Sequence, residues 1–378
     1  MPAPLNILHL HSSFSLGGKE ARAVRLMNAF GDRARHTIVS GVPDQLSARD
    51  AIAEGVHYEI AQAPPPLTGK PSVARYEAIA RFSRRFDLVL TYNWGAIDGV
   101  MAKRVFPRDA PPIVHHEDGF NADEADGLKP MRNMYRRLAL GAAQALAVPS
   151  HVLEEIALKA WKQPRGKVHR ISNGIATARY AAKPDPRAIP GLKKAPGEVV
   201  IGTIAGLRAV KDLPMLVRVV GGCTNKVRLV IVGDGPEREA IEDAADAMFF
   251  GDRLVMPGFL PDPHRYVGLF DIFALTSLSE QQPIAVMEAM AAGLPVVAPP
   301  VGDVRRMVAP ENHQFIADDR FEVHLRDRID ALAGRLDYAR FVGTKNQERA
   351  AALFDERQMI ACYASLYETA AGRPGALS

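Results

Sequence analysis

Short runs rich in β-branched residues alternate with longer helical patterns along this chain, and this alternation limits the possible folds more than any other feature. In the first half, the runs predict strands at 6–11, 36–40, 87–92, 112–116 and 145–149. In the second half, they predict strands at 199–204, 228–232, 254–256, 271–275 and 295–298. Strands that alternate with helices predict parallel sheets covered by helices on both faces, and hence an α/β fold.

A proline-rich segment divides the alternation into two halves. Residues 184–196 contain four prolines and little apolar periodicity, which is typical of a linker. We therefore predict two tandem Rossmann-like, doubly wound domains at 1–180 and 198–350, joined by a linker at 181–197. Residues 351–378 are predicted to be a helical tail that packs back on the sheets. Because such sheets bind ligands beyond the carboxyl ends of their strands, two facing edges predict a binding cleft.

Composition excludes several classes of protein. Lys and Arg outnumber Asp and Glu by only 47 to 43, a net charge of +4, which does not indicate nucleic-acid binding. The two cysteines, Cys223 and Cys362, exclude a disulfide framework and a Cys-rich metal cluster and are typical of a reducing cytoplasm. No secretory signal is evident, and the least polar stretch, 285–301, is interrupted by Glu288 and three prolines. We expect a cytoplasmic location.

Two glutamates flank a predicted helix start in the second half. Glu280 lies in a polar loop, Pro283 is predicted at the first helical position, and Gly293 suits a left-handed C-cap. The free amides at 284–286 predict an anion site at the helix N-terminus. Glu280 lies just before that terminus and Glu288 one turn inside it, which favours a ligand that combines phosphate with hydroxyl groups. The alternative is a pair of solvated surface glutamates.

This segment resembles the Glu-x7-Glu signature of the retaining family 4 (group 1) glycosyltransferases, which have the GT-B fold. The similarity continues through Glu-Ala-Met-Ala-Ala-Gly-Leu-Pro-Val-Val-Ala to Val301-Gly302-Asp303. The resemblance implies that Glu280 contacts the donor sugar and that Glu288 binds the ribose hydroxyls. Between them, the residues implied to hold the sugar and diphosphate are Gln282, Pro283, Ile284 and Ala285. Gln281 replaces the glycine found in many members.

The first half carries two further matches. Gly17-Gly18-x-Glu20 resembles the family's Gly-Gly loop, whose backbone amides approach the diphosphate, although a tight turn is the alternative. His115, at a predicted strand end, resembles the histidine that reaches the donor sugar and phosphate. Strand alternation places the rings of His115 and His116 on opposite faces, so only one is expected to point at the cleft, and alignment favours His115. The same divergence disfavours a metal site in this His-His-Glu-Asp run.

Basic and aromatic candidates for the donor site follow strands of the second half. The family commonly shows Gly-Arg-Leu-x-x-x-Lys here; Lys211 matches its lysine, whereas Gly206 stands at the arginine position and Arg208 lies two residues on. Phe259 matches the loop that meets the base. The Gly-Asp-Gly-Pro run at 233–236 resembles a family turn, for which ligand contact and a plain βα turn capped by the Asp both remain open.

One basic amphipathic stretch lies between the histidines and the linker. Met131, Met134, Tyr135 and Leu138 are predicted on one helical face, with arginines beside them. A core-packing helix with a solvated basic face is one interpretation. A surface that meets the acceptor or an anionic membrane is the other, and it would make the protein peripheral at the inner membrane face.

The resemblance implies a retaining glycosyltransferase that moves a sugar from a nucleotide diphosphate sugar to an acceptor hydroxyl, in polysaccharide or glycolipid synthesis. Glu280, His115 and Lys211 are its implied catalytic residues, and the acceptor would be a sugar or a lipid-linked saccharide. No metal and no cofactor are expected, since the chain has no Asp-x-Asp triplet. The alternatives are a nucleotide-sugar epimerase of the same architecture and a catalytically silent nucleotide-sugar-binding protein.

Overall fold

The structure is a computed structural model that describes residues 3–120, 124 and 127–378. These residues form two compact units. Unit 1 comprises residues 3–119, Gly127–Asn173 and Arg357–Ser378, and the main part of unit 2 is Gly174–Glu356. The segment predicted as a linker lies within unit 2, where Ile189 is 3% exposed in the core.

The strands agree with most of the predicted positions. In chain order they are β1 (Leu5–His11), β2 (Ala34–Ser40), β3 (His57–Ile60), β4 (Leu88–Tyr92), β5 (Ile113–His116), β6 (Ala145–Val148), β7 (Val168–Arg170), β8 (Val199–Ile204), β9 (Val227–Val232), β10 (Leu254–Gly258), β11 (Ile272–Ala274) and β12 (Val296–Val297).

Helices connect these strands. They are α1 (Gly18–Phe30), α2 (Val73–Ser83), α3 (Ile97–Val105), α4 (Pro130–Leu140), α5 (His151–Lys159), α6 (Thr177–Tyr180), α7 (Leu213–Gly221), α8 (Arg238–Ala247), α9 (Ile284–Ala291), α10 (Val304–Met307), α11 (Glu322–Ala333), α12 (Leu336–Leu353) and α13 (Glu356–Ala371). Side-chain caps start two of them: Ser72 accepts a hydrogen bond from the amide of Arg75, and Ser150 accepts one from that of Leu153.

Within the described residues, each unit contains one parallel sheet. Unit 1 has the strand order β3-β2-β1-β4-β5-β6-β7, and unit 2 has the order β10-β9-β8-β11-β12. The order reverses between β1 and β4 in unit 1 and between β8 and β11 in unit 2. Ligands of doubly wound sheets bind beyond the carboxyl ends of the strands at such a reversal. The predicted α/β class with two Rossmann-like domains is confirmed.

Apolar side chains cover both faces of each sheet. In unit 1, α13 packs on one face, where Tyr363 and Tyr367 join Leu5 and Phe30 in a single core. In unit 2, the buried helix α9 packs in the core on one face of the sheet, and α7 packs in the core on the other. No helix in the described part of the chain is both long enough and apolar enough to span a bilayer.

Candidate active site

The two loops at the reversal point of unit 2 bring a cation and a carboxylate together. Lys211 follows β8, and Glu280 follows β11. The Nζ of Lys211 donates a hydrogen bond of 2.5 Å to Oε1 of Glu280, and Oγ of Ser277 donates one of 2.8 Å to the same oxygen. The Lys211 and Glu280 side chains are only 18% and 12% exposed. The two catalytic residues predicted in this unit therefore form one charge pair.

Hydrogen bonds between the two loops fix this pair. The amide of Leu278 donates to the carbonyl of Val210 at 2.8 Å. Oγ1 of Thr276 donates to the carbonyl of Asp212 at 2.8 Å, and Arg320 donates to the Asp212 carboxylate at 2.7 Å. Asp212 has a φ of +46°, a left-handed conformation that turns the chain just after the cation. The loops are thus held to each other by backbone and side-chain contacts.

The helix α9 presents its N-terminus beside the charge pair. Pro283 was predicted as the first helical residue, but it is the N-cap, because its ψ of 122° is extended. Its carbonyl accepts from the amide of Val286 at 3.1 Å. The amides of Ile284 and Ala285 lie in the first turn, where a helix offers no internal acceptor, and Gln282 precedes them. This terminus can therefore donate hydrogen bonds to an anion.

Gly302 supports the loop that carries Glu280. Its φ is +52°, and a Cβ there would lie 2.5 Å from the carbonyl oxygen of Glu280 and 2.6 Å from that of Gln281. The amide of Asp303 donates to the Gln281 carbonyl at 2.8 Å. A larger residue at 302 would push this loop away, so the glycine has a structural role in placing the carboxylate.

Glu288 lies one turn inside α9 and is 9% exposed. The phenol of Tyr180, at the end of α6, donates a hydrogen bond of 2.7 Å to Oε1 of Glu288. Burial and, next, the charge of Glu288 raise the pKa of Tyr266. The predicted ribose-binding carboxylate is therefore a buried charge set among tyrosines. Its predicted contact with ribose stays a prediction.

Arg208 is exposed and lies two residues after Gly206, the position where the family commonly has an arginine. A Cβ at Gly206 would lie 3.7 Å from Nε of Arg208, so the arginine side chain folds back over the glycine. Arg208 makes no ion pair with any of the residues that the structure describes, whereas Lys211 is paired. Its guanidinium is thus available to an anion close to the position that the family's arginine would occupy.

The Gly-Asp-Gly turn after β9 supports the Arg208 loop. A Cβ at Gly233 would collide with the carbonyl of Ala205, and one at Gly235 would lie 2.5 Å from the carbonyl oxygen of Leu207. The amide of Leu207 donates to the carbonyl of Asp234 at 2.9 Å. The interpretation of Asp234 as an N-cap is wrong, because its carboxylate accepts from the amide of its neighbour Gly235 instead.

Phe259 follows β10 and is 62% exposed, which leaves its ring open to a stacking partner. The preceding Gly258 has a φ of +85°, so the chain turns sharply there. Contact of Phe259 with a nucleotide base stays a prediction. No group of three or more His, Cys, Asp or Glu side chains suited to a metal ion occurs among the residues that the structure describes.

In unit 1, Gly17 is the N-cap of α1 and Gly18 is its first residue. A Cβ at Gly17 would lie 3.0 Å from Oε2 of Glu20, which leaves little space for a side chain. Glu20 is 4% exposed and paired with Lys19. Burial raises the pKa of Glu20, although Lys19 opposes the shift. A carboxylate therefore lies beside the loop predicted to receive a diphosphate.

His115 and His116 lie on opposite sides of β5, as alternation requires. Nδ1 of His115 is 2.7 Å from Oγ1 of Thr91, and Nε2 of His116 is 2.8 Å from the phenol oxygen of Tyr367. His115 is fully buried, and its Nε2 is 3.6 Å from Oε2 of Glu117. Both ring nitrogens of His115 thus face protein groups, so a sugar contact would require one of them to turn away. That contact stays a prediction.

Helix α4 reverses the expected distribution of its side chains. Met131, Met134 and Leu138 are 72%, 52% and 46% exposed, whereas Arg136 is 1% exposed. Tyr135, the fourth residue of the predicted apolar face, packs against the core of unit 1 instead. Nε of Arg136 lies 3.4 Å from Oε2 of the buried Glu117. The interpretation of α4 as a core-packing helix with a solvated basic face is therefore wrong: the apolar ridge is outside and this arginine is inside.

Sequence reasoning assigned no role to several residues that shape the site. They are Tyr180, Ser277, Gly302 and Arg320. Gly302 lay in a quoted motif, and a glycine between a strand and a helix is a signal for a special backbone conformation. Tyr180 and Arg320 act through contacts with distant parts of the chain, which no local pattern reports, whereas Ser277 contacts Glu280 three residues on in the same loop.

Two family models match the chain over most of its length. The model described as Glycosyltransferase Family 4 matches residues 16–179, and the one described as Glycosyl transferases group 1 matches residues 185–349.

Curated relatives match at lower coverage. The GDP-mannose-dependent alpha-mannosyltransferase of Mycobacterium tuberculosis is 28% identical over 168 residues, which is 44% of this chain and 43% of that one. The 2-deoxystreptamine N-acetyl-D-glucosaminyltransferase of Streptomyces fradiae is 24% identical over 331 residues, which is 78% of this chain and 77% of that one. The chain spans less than half the length of the first curated relatives it matches.

A solved structure shows the same fold. Anabaena Alr3699/HepE, in complex with UDP and glucose, has a TM-score of 0.78 and 19% identity, and the match covers 97% of this chain and all of that one.

Proposed function

The chain belongs to the group 1 (family 4) glycosyltransferases and has their GT-B fold, and we propose that it transfers a sugar from a nucleotide diphosphate sugar to an acceptor hydroxyl. The observation that carries this proposal is the Lys211–Glu280 pair beside the N-terminus of α9, at the reversal point of the unit 2 sheet. Such a site offers positive charge to a diphosphate and a carboxylate to sugar hydroxyls. HepE, which shares the fold, was solved with UDP and glucose.

Charge stabilisation is the chemistry that this site can supply. As the bond between the anomeric carbon and the diphosphate breaks, negative charge grows on the phosphate oxygens. The ammonium of Lys211 and the amides at the start of α9 would stabilise that charge, an effect that is strong where water is excluded. Glu280 would exchange its bond with Lys211 for hydrogen bonds to the sugar. Arg208 would add a second cation.

Retention of the anomeric configuration is part of the proposal and derives from the family resemblance. In that reading the acceptor hydroxyl attacks from the face that the diphosphate leaves, and its proton passes to the departing phosphate. In this proposal the Gly17–Gly18 loop contacts the diphosphate and His115 contacts the donor sugar and phosphate, and no metal ion takes part. A role in polysaccharide or glycolipid synthesis is likewise proposed.

The exposed ridge of α4 supports a lipid-linked acceptor. Met131, Met134 and Leu138 recur on the exposed side of a helix that has no acidic residue, and Arg137 is exposed beside them, whereas Arg136 is buried. Apolar side chains next to basic ones bind the interface of an anionic bilayer. We therefore propose peripheral membrane contact through α4.

Cosedimentation with vesicles tests the membrane contact. Wild-type protein should bind phosphatidylglycerol vesicles more than phosphatidylcholine vesicles, and replacing the three ridge residues with serine should abolish the difference. Serine at Phe341, an exposed aromatic residue of α12, is the matched control. A ridge variant that keeps the wild-type preference for phosphatidylglycerol vesicles would refute the contact.

Ligand screening followed by product analysis tests the function. Uridine, guanosine and adenosine diphosphate sugars are screened by thermal shift, because a ligand that binds only the folded state raises the melting temperature. The stabilising donor is then incubated with and without saccharide acceptors. Release of nucleoside diphosphate and formation of a glycoside support transfer. An epimerised donor would instead identify an epimerase, and binding without turnover a silent protein.

A further inference from the structure

Asp212 lies directly after the lysine proposed to stabilise the leaving diphosphate, and its backbone conformation is unfavourable. Its φ of +46° and ψ of 50° are left-handed, a conformation that glycine adopts freely but that costs energy in a residue with a Cβ. Asp212 is also the N-cap of α7. An aspartate at an N-cap usually accepts a hydrogen bond from the first helical amides, but this carboxylate accepts none from the described first turn of α7. Neither backbone preference nor helix capping therefore explains the turn.

Arg320 holds this turn from a distant part of the chain. It lies 108 residues after Asp212, and its Nη2 donates a hydrogen bond of 2.7 Å to Oδ2 of that residue. The same nitrogen donates one of 2.9 Å to the carbonyl of Thr276, in the loop that leads to Glu280. Oγ1 of Thr276 donates in turn to the carbonyl of Asp212 at 2.8 Å. These contacts form a closed ring around the turn.

The direction of the Lys211 side chain depends on this turn. Lys211 precedes Asp212, and α7 follows it with Leu213 and Leu216 buried in the core of unit 2. Because α7 is fixed there, the φ and ψ of Asp212 determine how the Lys211 backbone is oriented. A turn that relaxed out of the left-handed conformation would move Nζ of Lys211 away from Oε1 of Glu280, which it now reaches at 2.5 Å.

We infer that Arg320 is a positioning residue for Lys211, because its ion pair with Asp212 stabilises a left-handed turn that a glycine would form unaided. The inference rests on the proposed function, in which Lys211 meets the leaving diphosphate. The Arg320 and Asp212 side chains are 33% and 28% exposed, and ion pairs this accessible to water contribute little to global stability. Loss of Arg320 should therefore change the turn and leave the fold intact. Catalysis is far more sensitive than folding to a small displacement of a reacting group.

The test measures kcat and KM for release of nucleoside diphosphate from the uridine, guanosine or adenosine diphosphate sugar that most stabilises wild type. Arg320→Ala removes the ion pair. Arg320→Gln removes the charge but keeps a donor for Thr276, and serves if the alanine variant does not fold. Each folded variant, checked by thermal melting, should have kcat lowered roughly tenfold and KM within about twofold of wild type. Arg218→Ala is the matched control and should match wild type, because it breaks an ion pair of 2.7 Å between α7 and Glu322 of α11.

Two double variants separate positioning from general support of the fold. Adding Asp212→Gly to Arg320→Ala should restore kcat to within about threefold of wild type, because glycine adopts the turn without an ion pair. Adding Arg320→Ala to Lys211→Ala should lower kcat by no more than about twofold further, as expected if Arg320 acts through the lysine. A residue that only supported the fold would give neither result.

Any of four outcomes overturns the inference while the proposed function stands. The first is a kcat within about twofold of wild type in both Arg320 variants. The second is a loss that Asp212→Gly does not repair, and the third is an equal loss with and without Lys211. The fourth is that neither Arg320 variant folds, which would mark a structural role. If wild type releases nucleoside diphosphate from none of the three classes of donor, with or without saccharide acceptors, the proposed function fails and the inference fails with it.

Discussion

Lys211 and Glu280 lie 69 residues apart in sequence, yet the lysine Nζ donates a hydrogen bond of 2.5 Å to Oε1 of the glutamate. Each residue follows a strand at the point where the strand order of unit 2 reverses. The group predicted to act on the diphosphate and the group predicted to act on the sugar therefore hold each other in place. A donor that binds there must break the hydrogen bond between Lys211 and Glu280 and form a contact with each of the two side chains.

Replacing Lys211 with alanine should lower kcat by roughly 10²–10³, because the growing charge on the leaving diphosphate loses its cation. Steady-state kinetics with the donor found by screening measures the effect. Lys345→Ala is the control, since that lysine pairs with Glu348 on the exposed side of α12. A Lys211→Ala enzyme with kcat within about twofold of wild type would show that the lysine is not part of the chemistry.

The two glutamates of the Glu-x7-Glu segment should differ in their kinetic effects. Glu280→Ala is expected to lower kcat mainly, since its sugar contacts matter as the bond breaks. Glu288→Ala is expected to raise the donor KM mainly, because ribose binding contributes equally before and during reaction. Glu242→Ala, which removes an exposed glutamate of α8, is the control. Unchanged kinetics in both variants would refute the site.

Moving the arginine tests whether Arg208 replaces the family residue missing at 206. Arg208→Ala should lower kcat/KM roughly tenfold, as expected for one charged contact to phosphate. Adding Gly206→Arg should restore most of it, because the space beside Gly206 is occupied by Arg208 alone within 4 Å. Gly206→Ala in the Arg208→Ala background is the control and should restore nothing. Full activity of Arg208→Ala would show that Arg208 does not replace the family arginine.

Metal removal should leave activity unchanged within about twofold, since protein cations and helix amides are proposed to stabilise the diphosphate. Activity is measured after dialysis against EDTA and again after Mg²⁺ or Mn²⁺ is added back. A loss of activity that either ion restores would contradict a metal-independent reaction.

Acid should destabilise unit 1 through its buried histidines. Four of them have a lowered pKa and are 2% exposed or less: His9, His11, His36 and His116. Burial lowers the pKa of His36 to about 4; burial and, next, the charge of Arg22 lower the pKa of His116 to about 3. Unfolded histidines titrate near 6.5, so below that pH the unfolded chain binds more protons. The contribution of these histidines to the free energy of unfolding is therefore fully present above about pH 7. It falls as the pH drops, by up to roughly 1.4 kcal/mol per histidine per pH unit.

Denaturant unfolding at about pH 7.5, 6.5 and 5.5 measures how much the free energy of unfolding decreases. His36→Gln should reduce the slope of stability against pH by one proton, whereas His151→Gln, at an exposed position, should leave it unchanged. A free energy of unfolding that does not change over this range would contradict the prediction.

The sequence patterns located the buried strands well and the exposed ones poorly. β8 and β9 are mostly apolar runs, and their predicted bounds agree with the structure within a residue. β3, with the sequence His-Tyr-Glu-Ile at the edge of its sheet, has no such run and was missed. β7 has only three residues and was missed as well. An edge strand exposes polar side chains, so its sequence resembles that of a loop.

The candidate site was predictable only where its residues act locally. Glu280 and the start of α9 could be placed because a strand end, a proline and a helical run adjoin in sequence. The Tyr180 contact could not be, since it joins α6 to α9 over 108 residues. The same holds for α4, where periodicity placed Met131, Met134, Tyr135 and Leu138 on one face but gave no information on which of them face the core; Tyr135 alone of the four packs there.

The assignment of α13 to unit 1 has a consequence for synthesis. Met359, Tyr363 and Tyr367 complete the core that Leu5 and Phe30 begin. On the ribosome, the unit 1 sheet is synthesised first, but part of its apolar face stays uncovered until α13 emerges. Unit 2 can fold before that helix is made. A nonsense codon or a proteolytic cut shortly before α13 would therefore destabilise unit 1 at the opposite end of the sequence. Its exposed apolar core would then bind chaperones or aggregate.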